Sequence, residues 1–199
     1  MTYKIFQKAV AMAEQQNVTV KNTDVARNWF TTQSKTLSYA TPSSIIKTAP
    51  NTSNAPAFVG SMQLFAYDPK TKSDLPYYDR FPLIFMVDIQ REGFTGLNMH
   101  YLPPAARATL MDALYDIAGS DDSQSLSLSY ELLSSMHRLR LFRPCFKRYL
   151  NSHVRSNFAT IEKENWNVAL FLPLARFEKA SATHVHAESM KKVNNGKVL

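Results

Sequence analysis

A single cysteine, Cys145, stands in 199 residues, so the chain can form no internal disulfide and no cysteine-based zinc site. Glycine is scarce as well. There are five, and none sits in a phosphate-cradling loop. Neither a nucleophile elbow nor a two-histidine-plus-carboxylate spacing occurs. No apolar run approaches the roughly 20 residues that span a bilayer. The longest, Phe81 to Val87 and Val168 to Leu172, are strand-sized. Met1 to Gln16 lacks the basic-then-apolar-then-small order of a secretory signal. The expectation is an intracellularly made protein with no membrane partner, no cofactor and no metal.

What is present describes a folded domain. Hydrophobic residues make up 45% and aromatic ones 12%, which is enough for a core. The net charge of +7 is unevenly spread. Residues 61–135 are acidic overall, whereas 1–60 and 136–199 are basic, the latter with twelve Lys/Arg against four Glu. Cys145 lies among arginines, where a reactive thiol is conceivable; we take it as a small core residue.

The periodicities predict an α+β protein. Ile5, Phe6, Ala9, Val10, Met12 and Ala13 mark a helix in Met1 to Gln16, and a second runs from Asp24 to about Lys35 behind Asn22 or Thr23. Thr36 to Ala57 is rich in Ser, Thr, Asn and Pro, so residues 1–57 are expected to be a helical arm and extended linker. That arm either docks on a neighbour or packs back on its own domain. A globular domain is expected over 58–180, with strands at Met62 to Tyr67, Pro82 to Ile89 (buried on both faces) and Phe94 to Tyr101. Gly96 predicts a bulge or a close backbone approach. A helical insertion is expected over about 103–160: a helix from Pro103-Pro104 to Ala118, a longer one through Leu141, and a third over Cys145 to Val154. Trp166 to Leu172 reads as the last strand, and residues 181–199 as a flexible basic tail. The sheet is either a small twisted antiparallel one or an SH3-like barrel closed by that last strand.

Two clusters carry possible function. In Leu132 to Ile161, Arg138, Arg140, Arg143, Lys147, Arg148 and Arg155 occur with no acidic residue and interleave with Phe142, Phe146, Tyr149 and Phe158. Such a surface suits phosphates and stacked bases, or an acidic protein partner. On a helix, Arg140, Arg143 and Lys147 would share a face. The second cluster is the Pro76, Tyr77, Tyr78, Asp79, Arg80 loop. Asp79, Arg80, His100 and Tyr101 would serve acid–base chemistry, as in a nuclease, only if a cleft gathered them. A structural network is the simpler reading, and we expect no enzyme. His184 and His186 form only a two-ligand pair.

The strings Tyr67-Asp68-Pro69-Lys70, Leu75-Pro76-Tyr77-Tyr78-Asp79-Arg80-Phe81-Pro82-Leu83 and Gly96-Leu97-Asn98-Met99-His100-Tyr101-Leu102-Pro103 resemble small virion or assembly proteins of large contractile-tailed bacteriophages. Tyr149 to Ser156 and Trp166 to Pro173 continue the likeness, which covers roughly residues 58 to 180. The resemblance implies a non-enzymatic structural subunit of the virion, made in the host cytoplasm. It would sit in the tail or baseplate and contact other virion proteins, with the aromatic loop filling a neighbour's pocket or closing over its own fold. The alternative that the basic cluster favours is a DNA-binding head- or neck-associated protein that protects or packages DNA ends.

Overall fold

The computed structural model describes residues 4–18, 24–33, 41–49, 52–53, 59–118 and 140–195. Its centre is the strand β4 (Leu83–Gln90), whose first five residues are buried before the chain emerges at Asp88. Because successive side chains of a strand point to opposite faces, Leu83, Phe85 and Val87 enter one core and Ile84 and Met86 another. The expectation of a strand buried on both faces therefore holds. The Arg91-Glu92 turn returns the chain into β5 (Gly93–Asn98). Opposite Gly96 and Thr95 the register slips between Met86 and Asp88, which is the irregularity Gly96 predicts.

These two strands sit in an antiparallel sheet with β1 (Thr52–Ser53), β2 (Met62–Leu64), β6 (Phe146–Leu150) and β7 (Phe158–Ile161), in the order β1-β7-β2-β4-β5-β6. The outer strands β1 and β6 are not paired to each other. The sheet is open, so the SH3-like barrel is corrected to the twisted sheet that was its alternative. One of its faces packs Phe65, Ile84, Met86, Phe94, Tyr149 and Phe158 into a small core, in which the rings of Phe65, Phe94, Tyr149 and Phe158 meet mainly edge-to-face. A two-stranded sheet, β3 (Tyr78–Asp79) with β8 (Phe177–Glu178), stands beside it.

The other face of the sheet carries the larger core and the helices. Helix α1 (Lys4–Gln15) and α2 (Asp24–Gln33) bury Ala9, Ala13 and Ala26, small residues that permit close approach. They pack on α4 (Pro104–Ala118) and α6 (Trp166–Phe171), so the arm folds back on its own domain. Within the supposed linker, α3 (Pro42–Thr48) starts from a Thr41/Ser44 capping box with Pro42 at its first turn, and it buries Ile45. Arg107 ties α4 to α6, its Nε donating to Leu102 O (2.7 Å) and Nη1 to Leu170 O (2.8 Å).

Four expectations are corrected by these elements. The strand expected over Trp166 to Leu172 is instead the helix α6 (Trp166–Phe171); a short run of apolar residues does not distinguish a buried helix from a buried strand. Cys145 to Val154 is chiefly the strand β6, preceded by a single helical turn α5 (Phe142–Cys145), so the insertion over 103–160 is not helical throughout. The tail forms α7 (Ala182–Asn194), capped by Ser181 accepting from His184 N, with Val185 and Ser189 buried. Residues 36–57 are not wholly extended, since the helix α3 lies within them. The helix expected through Leu141 falls mostly on residues 119–139, outside those described.

Candidate nucleic-acid interface

The loop from Asp74 to Phe81 is held from inside by Asp79. Its side chain is 1% exposed. The carboxylate meets His100 Nδ1 at 2.7 Å and accepts from Asn98 Nδ2 at 3.2 Å. It also accepts from the backbone N–H groups of Phe81 (3.1 Å) and Arg176 (3.3 Å). Burial lowers the His100 pKa against the opposing pull of Asp79, so the ring is neutral and donates through Nδ1. Among the described residues its Nε2 has no partner, which a neutral acceptor tolerates better than a buried N–H would.

Tyr77 turns inward as well, packing against Tyr101, Phe177 and His184. Of the predicted partner-binding loop, then, Asp79 and Tyr77 serve the fold. Pro76 and Arg80 are exposed, and Tyr78 is half-buried. The acid–base pair of Asp79 and His100 is buried, with 1% and 0% of the two side chains exposed.

The basic cluster is divided by β6. Arg138 lies outside the described residues. Arg140 and Arg148 are exposed, and Arg143 is half-buried. On a strand, Lys147 and Arg148 face opposite ways, so the helical face shared by Arg140, Arg143 and Lys147 does not exist. Lys147 Nζ lies 4.1 Å from the centre of the Tyr101 ring, and burial pushes its pKa down to about 8. The Cys145 thiol is buried and pushed up to about 12 by burial, as suits a core residue.

Arg155 does meet the aromatic loop. A cleft of about 340 Å³ is lined by Tyr67, Tyr78 and Phe81 and by the cations Lys72, Arg80 and Arg155. Asp68 and Glu178 also line it. Lys72 bonds Asp68 at 2.9 Å, which lowers the carboxyl pKa and raises that of the ammonium. Arg80 meets Glu178 at 3.1 Å, while Arg155 stands 3.9 Å from Asp68. Lys72 and Glu178 escaped the sequence reading as site residues, because the pairing of β3 with β8 brings Glu178 in from 98 positions away. The one local signal was the Asp68–Lys72 spacing of four.

Among the described residues, no group of three His, Cys, Asp or Glu is placed to hold a metal ion. His184 contacts Tyr77 while His186 Nε2 bonds His100 O at 3.0 Å, so the two rings do not converge. No described helix is long and apolar enough to cross a membrane.

A family model described as "Phage T4 terminal DNA protecting protein" matches residues 5–193. No curated protein and no solved structure matches the chain. The match agrees with the phage resemblance and corrects its tail or baseplate detail, since the family is described by DNA ends. It runs from α1 into α7, covering the arm and the tail as well as the sheet. The chain belongs to the family of the phage T4 terminal DNA protecting protein.

Proposed function

We propose that this protein binds the ends of phage DNA within the virion and shields them by occupancy, without catalysis. The family match over residues 5–193 carries this reading. Two features of the molecule support it. The net charge of +7 favours a polyanion, since each phosphate met by a Lys or Arg releases condensed counterions. The acid–base pair of Asp79 with His100 is enclosed and committed to holding a loop. A nuclease that digests from a terminus must engage the last nucleotide, so a protein seated there blocks it sterically.

The experiment is an end-labelled linear duplex challenged with an exonuclease that requires a free end, with increasing protein at low and moderate salt. Protection is expected to saturate with protein and to weaken as salt rises. Cleavage by an internal endonuclease far from the end should be unchanged. Unimpeded digestion at saturating protein and low salt would reject the function. Protein detected in purified particles by mass spectrometry would support the virion location, and protein found only in the cell lysate would count against it.

A further inference from the structure

We propose that the cleft between the Tyr78–Phe81 loop and the Asn151–Arg155 turn holds the terminal nucleotide of the DNA. A phosphate monoester would sit on Arg155 and Arg80, with the base against Tyr78. The assignment rests on the DNA-end reading above and adds the site and the chemical group recognised.

Size is the first argument. About 340 Å³ is near the lower end of the roughly 300–1,000 Å³ of small-ligand sites. That is room for one nucleotide and not for a duplex. A nucleotide inside a continuous duplex is tied on both sides, whereas a frayed terminal one swings in at little unstacking cost. The concavity therefore selects ends.

Charge is the second. A groove that tracks a nucleic-acid backbone is continuously positive, but here three cations alternate with Asp68 and Glu178. The surplus suits one compact anion. A terminal monoester carries about −1.5 to −2 near pH 7, more than the single charge of a diester, so it competes best. Arg155 is the least committed cation: its approach to Asp68 is 3.9 Å, and Nη1 donates to Ser152 O at 3.2 Å, which orients the guanidinium. The Lys72–Asp68 and Arg80–Glu178 pairs have cations 56% exposed, so re-routing either to a phosphate costs little.

Rigidity is the third. Tyr67 N donates to Arg80 O (2.9 Å), Arg155 N to Ala66 O (2.8 Å), Asp68 N to His153 O (3.0 Å) and Arg80 N to Arg176 O (2.9 Å). The walls are joined by backbone hydrogen bonds, and Asp79, between Tyr78 and Arg80, is held in place by the four bonds to its carboxylate. Binding then orders few groups. The Arg80 guanidinium already lies 5.7 Å from the centre of the Phe81 ring, which leaves Tyr78 as the platform for a base.

The test uses three DNAs of equal length: a hairpin whose single open end is 5′-phosphorylated, the same hairpin with a 5′-hydroxyl, and a closed dumbbell. Affinities are read by fluorescence anisotropy for the full chain and for Arg155→Gln and Tyr78→Ala. The unaltered protein is expected to rank phosphorylated end, hydroxyl end, dumbbell. Arg155→Gln should bind the phosphorylated end roughly tenfold more weakly and lose the phosphate preference, with dumbbell binding unchanged. Tyr78→Ala should weaken both open ends by roughly tenfold. A protein that prefers and protects ends, yet ignores the phosphate and is indifferent to both substitutions, overturns the cleft and leaves the function standing. Equal binding of all three DNAs without protection overturns the function itself. Should either variant fail to fold, photo-crosslinking of the unaltered protein to a terminal 5-iodo-deoxyuridine decides. Adducts in the peptides carrying Tyr67 to Phe81 support the site, and adducts only elsewhere reject it.

Discussion

Asp79 Oδ2 and His100 Nδ1 meet at 2.7 Å with 1% and 0% of their side chains exposed, although they are 21 residues apart in the chain. The contact joins the aromatic loop to the 3-10 turn Met99–Tyr101 that follows β5. Tyr78 and Arg80 flank Asp79, so the buried carboxylate determines where two walls of the candidate cleft stand.

Replacing Asp79 by Asn should therefore loosen the fold more than it alters binding chemistry. The carboxylate accepts from four donors, and an amide in its place sets Nδ2 or Oδ1 against groups that donate. A buried donor left unmatched costs about 1–3 kcal/mol. We expect a loss of roughly 2–3 kcal/mol in urea denaturation, with DNA-end binding retained well below the melting temperature. If Asp79 were instead a catalytic group, an activity carried by the parent protein would vanish without a stability change.

Acid should destabilise the protein below about pH 6.5. Burial lowers the His100 pKa, opposed by Asp79, and burial also lowers that of His186, aided by Arg107. Above the unfolded value of 6.5, folded and unfolded chains bind the same protons at these rings and stability is full. Below it the unfolded chain takes up protons that the folded chain refuses, so stability falls with pH towards the depressed folded values. For His100 the slope is at most about 1.4 kcal/mol per pH unit. Urea midpoints at pH 7.5, 6.5 and 5.5 should fall in that order. His100→Asn, whose amide can still donate to Asp79, should flatten the trend.

Local patterns were legible in the sequence, and pairings across the chain were not. The alternation of Leu83, Phe85 and Val87 with Ile84 and Met86 identified a strand with two buried faces. Pro103-Pro104 announced α4, and Gly96 announced the irregularity beside it. The apolar run of α6 fits a helix as well as a strand. Helix α7 buries only Val185 and Ser189 deeply, too few to make a stripe. Arg155 and the aromatic loop were each singled out from sequence. Their meeting depends on the Tyr67–Val154 bridge and on β8, neither of which leaves a local trace.

The two glycines of β5 should differ in tolerance. A Cβ on Gly93 would stand 2.0 Å from Tyr149 O, a backbone atom held in the β5–β6 ladder. At Gly96 the nearest atom is Ile84 Cδ1 at 2.6 Å, the movable end of a side chain, with Phe85 O next at 2.9 Å. Overpacking of a tight core costs about 1–3 kcal/mol. Gly93→Ala should reach or exceed the upper end of that range and Gly96→Ala should fall lower in it, as thermal melts of the two variants will report. Equal losses would mean that β6, an outer strand, yields its register to make room.

Lys147 separates charge that is counted in the sequence from charge that is presented to DNA. Beside Arg148 it reads as a phosphate contact, yet its ammonium rests over the Tyr101 ring and burial lowers its pKa to about 8. Reaching a phosphate would require leaving that ring and the desolvated position. Lys147→Met keeps most of the apolar stem and removes the charge. We expect it to change DNA affinity by less than about twofold, and to leave the slope of log K against log salt unaltered, because no released counterion is lost. Arg155→Gln, at an exposed cation, should flatten that slope by about 0.9. Measuring both variants across 50–200 mM salt, a range over which phosphate contacts change affinity steeply, separates the cases. A slope that falls by nearly one unit in Lys147→Met means that Nζ leaves Tyr101 and takes a phosphate when DNA binds.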